Sequence, residues 1–215
     1  ELVANAPHMP VHLGSMDSTV KSIINNNSTL CPGDLFAINA PYNGGTHLPD
    51  ITIVNPIWNS EKSEIIFYTA ARGHHTDIGG LTPGSMPCNS KDIHEEGIYI
   101  DNWKIVDNGI FREKEIKHKL LKSKYPARSP LTNIADLKAQ IAACKKGEAE
   151  LLKIVDKYGL ETVFRFQELV CQNAENAVRE SIKSIKKTEF TYQMDDDLSG
   201  ASRKINIKLT PNKKD

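Results

Sequence analysis

The first half of the chain carries short β-branched runs and the second half carries long stripes of apolar residues spaced three and four apart. Ile51-Thr52-Ile53-Val54, continuing to Pro56-Ile57, and Glu64 to Thr69 both read as strands. The polar stretch Asn59-Ser60-Glu61-Lys62 between them reads as a turn, so the pair predicts a β-hairpin. A third strand is expected over Ile98 to Val106, stopping at Asn108-Gly109. Ile134, Leu137, Ile141, Cys144, Leu151, Val155 and Tyr158 then lie on one helix face, with Lys157 and Gly159 as stop signals. A second helix follows from about Glu161 to Lys187, with Val163, Phe166, Val170, Ala174, Ala177 and Ile185 on its inward stripe. The short connection predicts an antiparallel helix pair.

The pattern returns to strand at Phe190 to Gln193 and at Ile205 to Leu209, either side of a turn cluster from Asp195 to Gly200. Two strands do not form a stable sheet alone, so this terminal hairpin should pair with the earlier strands or continue further. The expected class is α+β: a β-rich, site-bearing part with long Gly-rich loops over 1–111, a helical part over 112–188, and a terminal β-hairpin over 189–215.

Composition narrows the function classes. The 215 residues balance 27 Lys+Arg against 27 Asp+Glu and are 39% hydrophobic, an ordinary globular mixture. No apolar run approaches the roughly 18 residues of a membrane-spanning helix, and ELVANAPHMP lacks a secretory pattern, so the expected location is cytoplasmic with no membrane partner. Four scattered cysteines without a CxxC pair suit reduced thiols. The neutral total conceals 5 basic against 12 acidic residues in 1–111, with six of the seven histidines there, and 22 against 15 in 112–215. The lysines recur on polar helix faces without interleaved aromatics, so no nucleic-acid partner is expected. Neither Gly-x-x-x-x-Gly-Lys-[Ser/Thr] nor Gly-x-Gly-x-x-Gly occurs, so nothing announces a nucleotide site.

Two Gly-rich polar segments flank the expected hairpin, Asn43 to Asp50 and Arg72 to Gly80. A turn centred between Ser60 and Glu61 sets His47 opposite His74 and Asp50 opposite Ala71. Opposed residues lie about 4.5–5.5 Å apart, close enough to share one ion. His47-x-x-Asp50 beside His74-His75-x-Asp77 therefore reads as a divalent-metal site, and its mixed N and O donors suit Zn, Mn or Fe and leave room for a bound water. His75, Asp77 and Glu96 are candidates for moving protons or orienting ligands. His12, which on a strand would share a face with His8, and Gly79, Gly80 and Ser85 are candidates for substrate contact, the alternative for one of these two histidines being a hydrogen-bonded place in the core. The alternative for these histidines and aspartates is turn capping.

The runs Gly44-Gly45-Thr46-His47-Leu48-Pro49-Asp50-Ile51-Thr52 and Ala71-Arg72-Gly73-His74-His75-Thr76-Asp77-Ile78-Gly79-Gly80-Leu81-Thr82-Pro83-Gly84-Ser85-Met86-Pro87 resemble the signature of the hydantoinase B / 5-oxoprolinase family. The likeness extends through Ala6 to Gly14, Glu96-Gly97 and Asp136 to Ala143, and is greatest to the 5-oxoprolinase branch. It implies an ATP-dependent hydrolase that opens a lactam to glutamate. A hydantoinase A-like, actin-like kinase part would use ATP and Mg to activate the amide, and the part represented here would perform hydrolysis. Metal ligands in related ketone carboxylases would map onto His47, Asp50 and His74. The resemblance also implies that the chain is a fragment or a truncated paralogue of a longer protein, inactive alone. A non-catalytic docking piece, a hydantoinase or ketone carboxylase subunit, and a homo-oligomer remain open alternatives at this point.

Overall fold

The computed structural model describes residues 2–6, 9–197 and 201–211. The chain divides into two compact units, Glu1–Lys157 and Tyr158–Asp215.

The first unit is built on a five-stranded antiparallel sheet of order β3-β2-β1-β4-β5, formed by β1 (Leu35–Ile38), β2 (Asp50–Trp58), β3 (Ile65–His74), β4 (Trp103–Asp107) and β5 (Ile110–Phe111). Alternation along the strands separates two cores. Leu35, Ala37, Ile51, Ile53 and Ile105 point to one face and pack with Ile116 and Leu120 of α2 (Glu113–Lys122) and Ile134, Leu137 and Cys144 of α3 (Pro130–Tyr158). Phe36, Ile38 and Val54 point to the other, against Ile23 and Val20 of α1 (Pro10–Asn26). The class is α+β, with the sheet between helices.

Several expectations for this unit are corrected. His12 lies in the first turn of a helix that begins at Pro10, not on a strand; proline suits that position because it has no N–H to leave unpaired. His8 lies outside the described residues. The third strand starts only at Trp103, because the Asn39 side chain takes over the pairing before it. Its Oδ1 accepts from Ile100 N at 2.7 Å and its Nδ2 donates to Ile98 O at 2.9 Å. The strand does stop at Asn108-Gly109, which take φ 47 and 82 and form the two-residue turn into β5.

The β2–β3 hairpin forms, but Asp50, not His47, lies opposite His74. The turn is longer than a tight one: Asn59 N donates to Glu64 O at 2.9 Å, Asn59 Oδ1 accepts from Ser63 N at 2.9 Å, and the pairing shifts between Ile57 and Trp58.

In the second unit, α4 spans Leu160–Ser184 and β6 (Thr188–Asp197) pairs with β7 (Ala201–Leu209). Two expectations change here as well. Of the inward stripe predicted for α4, only Val163 is buried, while Phe166 and Val170 are exposed. Strand β6 also runs through Asp195–Asp197, where a turn was expected, and the rest of that cluster, 198–200, lies outside the described residues. The terminal strands pair with each other in a separate sheet and not with β1–β5. Phe190 stands opposite Ile207 and Tyr192 opposite Ile205, giving this ribbon one exposed apolar face.

Candidate metal centre

The cluster gathers around one carboxylate. Asp50 opens β2 and is 1% exposed. Its Oδ2 accepts from Thr46 Oγ1 at 2.6 Å and stands 2.6 Å from His47 Nδ1 and 3.5 Å from His12 Nδ1; its Oδ1 stands 3.0 Å from His74 Nδ1. Each group arrives on a different element. His74 is the cross-strand partner at the end of β3, His47 comes from the turn that Asp50 N closes on His47 O at 3.0 Å, and His12 comes from α1. Burial pushes the Asp50 carboxyl up, but the Thr46 hydroxyl, the His74 hydrogen bond and the charges of His47 and His12 outweigh it and hold the group below its usual range.

His47, Asp50 and His74 each offer one donor atom, all within 4.8 Å of one another. The His47 and His74 rings lie 5.1 Å apart. Two imidazoles and a carboxylate, with the carboxylate fixed from behind by Thr46, form a donor set that fits a divalent ion of the Zn, Mn or Fe kind.

Arg72 and Thr46 carry roles that the motifs alone did not assign. Arg72 projects from β3 and donates from Nε to Thr52 Oγ1 at 2.7 Å, from Nη2 to Thr19 Oγ1 at 2.8 Å, and from Nη1 to Ser15 Oγ and His12 O. It fastens α1, and with it His12, to the strand that carries His74. The signal for Arg72 was its place beside the expected partner of Asp50; for Thr46 it was its place inside the Gly-Gly-Thr-His run.

The other expected site residues lie apart from this cluster. His75 is 1% exposed, with Nε2 3.1 Å from Gln140 Oε1 and Nδ1 3.2 Å from Asn133 Nδ2. The Gln140 amide nitrogen donates to Ile51 O and Ala71 O, so its oxygen faces the ring. Nε2 of His75 then carries the proton and Nδ1 accepts from Asn133. Burial pushes the His75 pKa down, against the Gln140 bond and the Asp136 charge. This is a neutral histidine tying β3 to α3, with neither ring nitrogen free to move protons. Asn133, Leu137, Gln140 and Cys144 are all buried along α3, so polar positions spaced along the apolar stripe were the available signal.

Asp77 clamps a loop. It accepts from Gly79 N at 3.0 Å, Gly84 N at 3.1 Å, Arg128 N at 3.2 Å and Arg128 Nη1 at 2.7 Å. Ser85 Oγ donates to Gly79 O at 2.6 Å and accepts from Ile78 N at 2.8 Å. Gly80 N donates to Tyr125 O at 3.0 Å, and Glu96 Oε1 accepts from Ser90 Oγ at 3.0 Å. Gly79, Gly80, Ser85, Asp77 and Glu96 thus satisfy loop backbone and neighbouring hydroxyls in this structure.

Burial raises the Asp77 pKa, but the Gly79, Arg128 and Gly84 bonds outweigh it and set it below the usual value. A carboxyl depressed on folding stabilises the fold above its unfolded pKa of about 3.9, and that contribution is lost as pH falls through the folded value. Asp77→Asn should therefore lower the melting temperature at pH 7 and lose much of that difference at pH 3. A difference that stays constant over this range would exclude the charged clamp.

The Hydantoinase B/oxoprolinase family model matches residues 1–215. The chain is 45% identical over 196 residues to 5-oxoprolinase 1 of Arabidopsis thaliana, covering 86% of this chain and 15% of that protein. It is 40% identical over 228 residues to the 5-oxoprolinase of Saccharomyces cerevisiae, covering 100% of this chain and 17% of that protein. Among solved structures it resembles the ATP-dependent caprolactamase from Pseudomonas jessenii, with a TM-score of 0.79 and 26% identity over 94% of this chain and 35% of the other. The chain thus spans a minor share of the length of each of these relatives. Among the described residues no helix is long and apolar enough to cross a membrane.

Proposed function

The chain belongs to the hydantoinase B/oxoprolinase family, and from that premise we propose that it supplies the hydrolytic, metal-holding part of an ATP-dependent enzyme that opens a cyclic amide of the 5-oxoproline type. The observation that carries this reading is the convergence of His47 and His74 on the buried Asp50 carboxylate. Names of relatives support the reaction class, since two are called 5-oxoprolinase and one structure is called an ATP-dependent caprolactamase.

His47, Asp50 and His74 would hold the ion. When bound, it supplies Lewis-acid polarisation of a water or a substrate oxygen at neutral pH. Asp50 contributes the fixed negative charge, and Thr46 orients the carboxylate from behind. His12, held at the same carboxylate through α1 and Arg72, is placed to contact substrate or to carry a proton. Amide activation by ATP and Mg would fall to a hydantoinase A-like kinase part, in keeping with the name of the ATP-dependent caprolactamase that this chain resembles.

The test uses the longer protein with its kinase part. ATP-dependent ring opening of 5-oxoproline is measured beside the metal content of wild type and of His47→Ala. The expected result is loss of both metal and turnover in the variant. Wild-type metal content in His47→Ala would refute the ligand assignment, and turnover of hydantoins or ketones in place of 5-oxoproline would move the substrate within the family.

A further inference from the structure

The groups around Asp50 are not all held in the same way. Asp50 and His74 face each other across the β2–β3 ladder, and His47 is tied to Asp50 by the turn in which Asp50 N donates to His47 O. Backbone pairing therefore fixes the placement of all three. His12 has no such tie. It lies in the first turn of α1, which meets the sheet as a separate element.

The part of α1 that carries His12 is weakly built. Met9 at its N-cap forms no side-chain cap, no acidic residue occupies its first turn, and Gly14, Ser15 and Ser18 are poor helix formers. Apolar packing does not compensate. Val20 and Ile23 reach the core from the second half of the helix, whereas Val11 and Leu13 are exposed and a cavity of about 30 Å³ remains between Leu2, Asn5, Leu13, Met16 and Arg72.

What fastens this first half is the Arg72 guanidinium. Its Nη1 donates to the Ser15 hydroxyl and, at 3.3 Å, to the carbonyl of His12 itself, and its Nη2 donates to Thr19 Oγ1 at 2.8 Å. The Ser15 hydroxyl donates in turn to His12 O at 3.1 Å. On the other side Nε donates to Oγ1 of Thr52, the buried cross-strand partner of Arg72, at 2.7 Å. A planar guanidinium with donors in fixed directions can hold a helix and a strand at a set distance, and a lysine ammonium on its flexible stem cannot. We propose that Arg72 is the positioning residue for His12: its fork sets the His12 imidazole at the Asp50 carboxylate, and it acts on turnover through His12 without taking part in holding the ion. This role rests on the reading of His12 as a residue that meets substrate or carries a proton.

The test uses the longer protein with its kinase part and compares wild type with Arg72→Lys, Ser15→Ala and His12→Ala. Arg72→Lys keeps the charge and loses the fork. A displacement of about 1 Å can cost about 100-fold in rate, so kcat for ATP-dependent ring opening of 5-oxoproline should fall by about that factor while metal content stays at the wild-type level. Adding Arg72→Lys to His12→Ala should lower kcat no further. Ser15→Ala removes one acceptor of the fork but places a better helix former in α1. It should lower kcat a few-fold without lowering the melting temperature, whereas a purely structural role would leave kcat alone.

Hydrogen exchange of the metal-free protein gives a second readout that needs neither ion nor substrate. Arg72→Lys should speed exchange over 13–20 and leave that of β2 and β3 unchanged. Wild-type exchange over 13–20 in Arg72→Lys, wild-type kcat in that variant, loss of the ion along with turnover, or a double variant worse than His12→Ala would each overturn the role of Arg72. A wild-type protein that binds no ion or leaves 5-oxoproline intact would instead overturn the proposed function, and the exchange readout would still decide whether Arg72 holds the first half of α1.

Discussion

Replacing Asp50 with alanine should weaken divalent-ion binding by at least about 100-fold, since even residues that merely support metal ligands are worth 10–100-fold. Asp50 is the one group that all the others meet. It takes contacts from Thr46, His47, His74 and His12 while almost fully buried. Without it, three imidazoles face one another and the half-buried Arg72 guanidinium, whose pKa burial lowers and the Asp50 charge raises, loses that nearby anion. Asp50→Asn separates charge from shape, because the amide fills the same space and can still accept from Thr46. Metal content after dialysis against a buffered zinc solution, read beside a thermal melt, distinguishes the two effects. Asp50→Asn is expected to melt below wild type by the loss of the charge that folding favours, but above Asp50→Ala, and to bring down no ion. An asparagine variant holding one equivalent would remove Asp50 from the ligand set.

The segments that meet at Asp50 were legible because hairpin formation brings the flanking loops together whatever the register. A shift of pairing exchanged the partner of His74 from His47 to Asp50, yet His47 still reached the cluster from the turn before the strand. The sequence reading put both His74 and His75 at the site, whereas only His74 stands beside Asp50. Adjacent residues leaving a strand point to opposite sides, and the choice was made by α3, whose Asn133 and Gln140 enclose His75. Helix α1 escaped notice because Gly14, Ser15, Ser18 and Thr19 are weak helix formers; its place comes from tertiary bonds, notably Thr19 to Arg72 and to Gly44 O. Strand β1 has four residues, all buried, so it shows no alternation to read. Asp77 and Ser85 had the polarity of catalytic groups, but the loop glycines and Arg128 consume their hydrogen-bonding capacity.

The same loop should make Gly79→Ala severely destabilising. Gly79 takes φ +93, and a Cβ there would lie 2.2 Å from Tyr125 O. Placing a side chain at such a φ costs about 1–3 kcal/mol by itself. The clash adds to this because the obstacle is backbone, fixed in place by Gly80 N on that same Tyr125 carbonyl and by Arg128 on Asp77. A total of about 3 kcal/mol or more corresponds to a melting temperature lower by roughly 6–12 °C in a chain of this size. Gly84→Ala provides the internal control, since Gly84 has φ +82 but nothing within 4 Å of the added carbon. It bears the backbone strain without the clash and should lose about 1 kcal/mol. If the two variants melt together, close approach of the 125–128 segment is not what requires glycine at position 79. If Gly79→Ala falls well below Gly84→Ala while its metal content at low temperature is unchanged, the loop supports the fold around the centre without belonging to its ligand set.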